Sequence, residues 1–354
     1  MRSRQGNGAA RLDAIWYGGS GGRWLLWPVS LVFRAAAALR RAAYRRGIAR
    51  SIELPVPVVV VGNLTVGGTG KTPLIVWLAE ALTSRGLRVG IVSRGYRGGA
   101  KTWPQWVGAD SDPAEVGDEP VLLAARTGCP VVAGPDRVAA ARELLAQRDV
   151  DVLLSDDGLQ HYRMRRAFEI AVVDGERGLG NGMCLPAGPL REPAARLGAV
   201  DAVVVNGAGA GAAVAGLPPS DADRVYRAHV APTRVSRLAD GEAAELRAFA
   251  GRDVVAVAAI GHPERFFDLL ERAGAVVTRR PLPDHAAIRR EDLERPAGVP
   301  ALITEKDAVK CRGLADPDVW VVAVDLELEG ADADRLVAAM LQRIGAGRGG
   351  ADVL

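Results

Sequence analysis

Lysine is almost missing. Only Lys71, Lys101, Lys306 and Lys310 occur in the 354 residues, so 41 of the 45 basic residues are arginine (45 − 4 = 41). In such a chain each remaining lysine marks a place to ask whether a compact ammonium is needed. Cysteine is also scarce: Cys129, Cys184 and Cys311 are odd in number, far apart and without metal-ligand spacing. That excludes a disulfide framework and a zinc site, and points to a reducing compartment. The four histidines, at 161, 229, 262 and 285, are equally scattered. No apolar run reaches the roughly 20 residues of a spanning helix. The longest near the start, WLLWPVSLVF (24–33), is closed by Arg23 and Arg34. Arginines follow where a small-residue cleavage site would lie, so a signal peptide fits poorly.

The chain has plenty of material for a core: 49% of it is hydrophobic and 25% charged. Its length suggests about two domains. The formal charge of +3 hides an asymmetry. Residues 1–50 hold ten Arg and one acid, a net of +9, so the remainder carries −6 (3 − 9). From Val29 onward this arm reads as a helix with Arg34, Arg41 and Arg45 on one face and Val32, Ala36, Leu39 and Ala43 on another. Trp16, Tyr17, Trp24 and Trp27 crowd its entrance. Basic residues and interfacial aromatics together suit an anionic membrane surface. A helix packed on its own domain with a solvated basic face is the alternative.

The body reads as α/β with a parallel sheet. A strand over 53–62 leads into Asn63-Leu64-Thr65-Val66-Gly67-Gly68-Thr69-Gly70-Lys71-Thr72, then a helix over about 73–84. Strand, glycine-rich loop, Lys-Thr and helix form the context of a phosphate-binding loop. Backbone N–H groups of residues 65–70 would surround phosphate oxygens, Lys71 would reach the β- and γ-phosphates, and Thr72 would hold Mg²⁺. The usual leading Gly is replaced by Thr65.

A second strand, 87–93, ends in Arg94-Gly95-Tyr96-Arg97-Gly98, a basic loop. Gly117-Asp118-Glu119-Pro120 opens a helix through about Arg126. Acids at a helix start are ordinarily dipole partners; the functional reading is a base or metal-positioning acid. A buried strand over 150–155 delivers Asp156-Asp157 at its end, the arrangement that sets a carboxylate beside Mg²⁺. Strands 168–174 and 200–206 extend the sheet. Between them, Leu185-Pro186-Ala187-Gly188-Pro189-Leu190-Arg191-Glu192-Pro193 is either a contact for substrate or a rigid connector with a surface ion pair. Residues 207–223 read as a linker. Beyond it the α/β pattern resumes over 224–345, with strands at 254–260, 275–280, 301–304 and 320–326. Helices are expected at 263–272 and 331–344. Pro283-Asp284-His285 falls after one strand and Thr304-Glu305-Lys306-Asp307 after another.

Taken in order, these segments resemble the tetraacyldisaccharide 4′-kinase family. The likeness runs through IWYG (15–18), GNLTVGGTGKTP (62–73), SRGYRG (93–98), GDEP (117–120), DDGLQH (156–161), LPAGPLREP (185–193), GHPERFF (261–267), PDH (283–285) and TEKDAVK (304–310). The resemblance implies a phosphate-loop kinase domain (51–206), a smaller α/β domain (224–345) and a basic membrane-surface helix (1–50). It implies transfer of the γ-phosphoryl of ATP to the 4′-hydroxyl of a tetraacylated glucosamine disaccharide 1-phosphate at the cytoplasmic face of the inner membrane. ATP and Mg²⁺ are the expected ligands, and no nucleic acid or obligate protein partner is expected. Asp118 is implied as the base and His285 as its partner, with Lys71, Thr72 and Asp156 or Asp157 acting on the phosphates. Arg94, Arg191 and Glu192 are expected on the substrate side. His262 departs from the Asn expected in GHPERFF.

A synthetase-type ligase and a membrane-docked switch ATPase are the rival readings. The second is weakened because no Asn-Lys-x-Asp occurs; Thr304–Asp307 has its lysine one place late.

Overall fold

The computed structural model describes residues 12–209, 219–311, 313–314 and 316–347. The first eleven residues of the basic arm and residues 210–218 of the expected linker therefore lie outside the described residues.

Helix α1 (Gly22–Arg45) precedes the sheet. The first half holds β1 (Val58–Gly62), α2 (Lys71–Thr83), β2 (Val89–Ser93), β3 (Gln105–Val107) and, after a single turn at Pro113–Val116, α3 (Asp118–Thr127). It continues through β4 (Val131–Ala133), α4 (Arg137–Gln147), β5 (Val152–Asp156), β6 (Phe168–Asp174) and β7 (Ala202–Asn206). The second half holds β8 (Val225–Arg237), β9 (Ala243–Ala244), β10 (Asp253–Ala258), α5 (Pro263–Arg272) and β11 (Val276–Pro281). It closes with β12 (Ala301–Thr304), α6 (Glu305–Ala308), β13 (Val319–Leu328) and α7 (Asp332–Gly347).

The strands run β11-β10-β12-β13-β8-β7-β6-β1-β5-β2-β4-β3, with β9 alongside β8. Most neighbours are parallel; β13/β8, β8/β9 and β3/β4 are antiparallel. β1, β2, β5, β6 and β7 are buried at every residue, as strands covered by helices on both faces must be. Core residues from Leu74, Ile75 and Leu78 of α2 fill one face, and Val138, Ala141 and Leu144 of α4 the other.

Two expectations are corrected. Strand β1 starts at Val58 rather than residue 53, because Pro55 and Pro57 have no N–H to give to a ladder. Helix α1 starts at Gly22 rather than Val29, running through Pro28. Pro28 removes one helical hydrogen bond, but tertiary bonds hold the segment: Ser30 Oγ donates to Cys184 O at 2.6 Å and Trp16 Nε1 to Pro186 O at 3.0 Å. The sheet runs on past the expected linker. The 13-residue β8 pairs with β7 on one side and β13 on the other, so one sheet carries both halves.

Ser30 is the one fully buried residue of α1, while Leu25 (84% exposed), Val32 (71%) and Leu39 (71%) stand out from the body. Their spacing puts them opposite Arg34 and Arg41. Among the described residues no helix is long and apolar enough to cross a membrane.

Candidate functional site

Parallel strands leave their C-terminal ends on one rim, where loops converge. β1 delivers the glycine-rich loop there. Asn63 is fully buried; its side-chain amide donates to Gly67 O at 3.1 Å, and its Oδ1 accepts from Lys71 Nζ at 3.2 Å. Gly70 has φ +92°, and a Cβ there would lie 2.4 Å from Asn206 Nδ2, which itself donates to Thr69 O. Only glycine fits that position. Beside Gly67 and Gly68, by contrast, the space is open. Thr65 and Thr69 are buried, and the backbone N–H of Val66 donates to Pro189 O. Lys71 and Thr72 open α2, so the loop ends on a helix N-terminus, where anions are favoured.

β5 carries Asp156 to the same rim. Its Oδ2 accepts from Ser93 Oγ at 2.9 Å, while Oδ1 is buried without a partner. Burial pushes the Asp156 carboxyl well up, and the nearby charges of Glu119 and Asp157 push it further. Asp157 behaves oppositely. Burial would raise it, but Lys71, 3.7 Å away, and Arg191, whose Nη1 donates to both carboxylate oxygens at 2.8 Å, hold it down at about 2.

An unpartnered buried carboxylate oxygen, crowded by two further acids, fits a hard divalent cation. Mg²⁺ takes only one or two protein carboxylates beside phosphate and water, so no closed cage of acids is needed. Among the described residues no cluster of three or more His, Cys, Asp or Glu is placed to hold an ion alone.

Asp118 begins α3 one residue after Gly117, which has φ +91° and no room for a Cβ, 2.8 Å from Tyr96 O. The side chain is 5% exposed. His285 reaches it from the far half of the chain, Nδ1 donating to the two carboxylate oxygens at 3.0 and 2.9 Å. The histidine sits at φ +61°, its ring edge-on to Tyr96 at 5.4 Å, and Arg97 Nη1 donates to the Asp284 carbonyl at 2.6 Å. Burial raises the Asp118 carboxyl, but the His285 hydrogen bond and the charges of Lys306, His285 and Lys310 outweigh burial and hold it below the usual range. Glu119, also raised by burial and lowered more by Lys306 and Lys71, accepts from Lys306 Nζ at 2.8 Å.

The structure thus brings Lys71, Thr72, Asp118, Asp156, Asp157, Arg191 and His285 to one rim. One expected contact differs. Glu192 is 4% exposed and turned inward, accepting from Tyr162 Oη at 2.7 Å with Arg196 Nε 3.4 Å away. Its carboxylate satisfies a buried network instead of facing a substrate. Arg94 is exposed and stacked 5.9 Å over Tyr96. His262 caps α5 and lines a small recess against the glycine-rich loop. Sequence reasoning passed over Asn63 and Asn206, which shape the loop. Asn63 at the strand end was a readable signal, whereas Asn206 lies 136 positions from Gly70 (206 − 70).

The family model for tetraacyldisaccharide-1-P 4′-kinase matches residues 22–344. The chain belongs to that family. Curated relatives named tetraacyldisaccharide 4′-kinase include one from Alkalilimnicola ehrlichii, 52% identical over 89% of this chain and 92% of the relative. Another, from Nitrosococcus oceani, is 49% identical over 88% and 89%. The crystal structure of LpxK from Aquifex aeolicus in complex with ATP superposes with a TM-score of 0.75 at 29% identity, covering 91% of this chain and 99% of that one. This kinase is therefore an ATP-dependent enzyme of lipid A biosynthesis, and its α/β sheet is that of its family.

Proposed function

We propose that the rim residues divide the 4′-kinase reaction among themselves as follows. The γ-phosphoryl of ATP passes to the 4′-hydroxyl of tetraacyldisaccharide 1-phosphate. Within residues 65–70 the backbone N–H groups bind the phosphates, except that of Val66, which donates to Pro189 O, and Lys71 supplies a mobile point charge within that ring. Thr72, Asp156 and Asp157 would hold Mg²⁺, which when bound would neutralise charge on the transferring phosphoryl group. Asp157, kept ionised by Lys71 and Arg191, holds the lysine in place between turnovers.

Asp118 accepts the acceptor's hydroxyl proton and His285 orients it. The observation that carries this is the His285–Asp118 contact, made across 167 positions of sequence beside the glycine-rich loop. A carboxylate held below its usual range is a weak base, but phosphoryl transfer through a loose transition state acidifies the hydroxyl as the bond forms, so a well-placed weak base suffices. Arg191, and Arg94 from the exposed loop, offer cations to the acceptor's side.

The chain works as a kinase lobe (51–206) and a second lobe (224–345) joined by 207–223, with residues 1–50 as a membrane-surface arm. Support comes from the exposed Leu25, Val32 and Leu39 opposite the arginine face. An acylated acceptor stays in the bilayer, so the enzyme docks on the anionic cytoplasmic leaflet of the inner membrane, peripherally, and needs no protein partner for transfer. Incubation with γ-labelled ATP and the disaccharide 1-phosphate in mixed micelles tests the reading. Labelled lipid is expected; ADP release without it would leave an ATPase and overturn the assignment.

A further inference from the structure

Three of the four lysines lie at this site, and only Lys71 belongs to the glycine-rich loop. The other two come from α6 and the turn after it, and they face α3. Lys306 meets Glu119 at 2.8 Å and Lys310 comes within 3.9 Å of Asp118 Oδ2. A third contact has the opposite polarity: Arg126, at the far end of α3, meets Glu305 at 2.5 Å and also pairs with Asp325. Along α3 the charges read minus, minus, plus; the facing segment reads plus, plus, minus. Sliding one past the other would set like charges together, so the pattern admits one register.

Lys310 is the member that reaches the base. It is 8% exposed, with Nζ 2.6 Å from Asp307 Oδ1 and 3.4 Å from Ala259 O. Asp307 is wholly buried and further fixed by Thr304 Oγ1 and the Ala259 N–H. The ammonium is thus clamped between a structural carboxylate and Asp118, whose Oδ2 also takes the His285 contact.

We propose that Lys310 is a positioning residue for phosphoryl transfer: docked by the Lys306–Glu119 and Glu305–Arg126 contacts, it holds the Asp118 carboxylate ionised and aimed. This rests on Asp118 being the base. The charged groups facing Asp118 are His285, Lys306, Lys310 and its neighbour Glu119, with Asp284 Oδ2 3.6 Å behind His285 Nε2. Removing Lys310 leaves His285 and Lys306 to oppose burial, so the Asp118 carboxyl rises.

The test compares Lys310→Met with Lys310→Met/Asp307→Asn in the full-length enzyme, reading kcat, the KM for ATP, the pH profile of kcat/KM and the melting temperature. Lys310→Met leaves Asp307 buried and unpaired, so its melting temperature falls; the double variant removes both charges and recovers it. In both, kcat is expected to drop roughly 30-fold and the KM for ATP to stay within about twofold. The acidic limb is expected to move to higher pH. If the double variant recovers kcat along with stability, or if the limb does not move, Lys310 merely neutralises Asp307 and the inference fails. Asp118→Asn is run alongside: its full activity would overturn the base assignment itself, whereas an inactive Asp118→Asn with an active double variant overturns only the role of Lys310.

Discussion

His285 Nδ1 lies 2.9 Å from Asp118 Oδ2, although the two residues are separated by 167 positions and belong to opposite halves of the chain. Every flanking feature serves that contact. Gly117 supplies a turn no other residue can make beside Tyr96, and His285 is held at positive φ by its N–H bond to Ala259 O. Backbone strain of this kind is kept where the surroundings over-determine it.

The pair therefore acts as one unit. Asp118→Asn and His285→Gln are each expected to lower kcat by about 10²- to 10⁴-fold, with ATP affinity little changed. The double variant should be no worse than the weaker single one, because residues acting as a unit are strongly non-additive. Steady-state kinetics with ATP and lipid acceptor check this. Multiplicative losses would mean the two act separately.

A second set of variants separates Lys71 from its restraint. Lys71→Ala removes the point charge on the phosphates and is expected to abolish measurable transfer. Arg191→Ala leaves Asp157 with Lys71 as its near cation. The tighter Lys71–Asp157 pairing then competes with ATP, so the KM for ATP is expected to rise roughly three- to tenfold, kcat less. An unchanged KM would show that Arg191 does not govern Lys71.

How much of this was readable follows the distance over which each signal is written. The glycine-rich segment between strand and helix, the Asp156-Asp157 pair at a strand end and the GDEP helix start are each a contiguous string, and each falls on the element expected for it. β8 was not legible. Its sequence, VYRAHVAPTRVSR, mixes polar residues with Pro232, and it pairs with β13 through an irregularity between Ala323 and Val324. No period of two survives that, so the joined sheet is a tertiary fact. The inward turn of Glu192 was not legible, because its partners, Tyr162 and Arg196, meet it only in three dimensions. Lys310 stood out by scarcity, but its approach to Asp118 depends on how α6 docks on α3.

The same buried network makes a stability prediction. Arg196 is 2% exposed and bonded to Glu169, with Glu192 alongside. Arg196→Ala leaves Glu169 with Arg166 alone and Glu192 with the Tyr162 hydroxyl alone, at an expected cost of about 1–3 kcal/mol. Urea unfolding measures it; a loss under about 1 kcal/mol would show that water replaces the guanidinium.

Acid sensitivity has an identifiable contributor in His161. Burial, and then the charge of Arg137, depress its pKa from 6.5 to about 4, and Nε2 has no partner. The unfolded chain takes up this proton first, so stability is present above pH 6.5 and lost as the pH falls toward 4. Discounted for the partly exposed ring, the loss is roughly 2 kcal/mol. His161→Gln should unfold with a shallower pH dependence between 6.5 and 4 than the parent; parallel curves would remove His161 from the account.

The last prediction concerns helix α1. A helix folded only for its own domain turns its apolar face inward, yet here Ser30 is buried while Leu25, Val32 and Leu39 are exposed. Exposed apolar side chains in a row, opposite arginines, lose free energy in water and gain it in a lipid interface. Leu25→Asp/Val32→Asp is expected to release the protein from sedimenting vesicles containing anionic lipid. Arg34→Gln/Arg41→Gln should weaken binding only at low ionic strength, where surface attraction is unscreened. Both variants leave the rim untouched, so turnover of a short-chain, micelle-soluble acceptor should stay near that of the parent. If sedimentation is unchanged in the aspartate variant, the apolar face is not the docking surface. If short-chain turnover falls with it, α1 acts on the rim and not on the membrane.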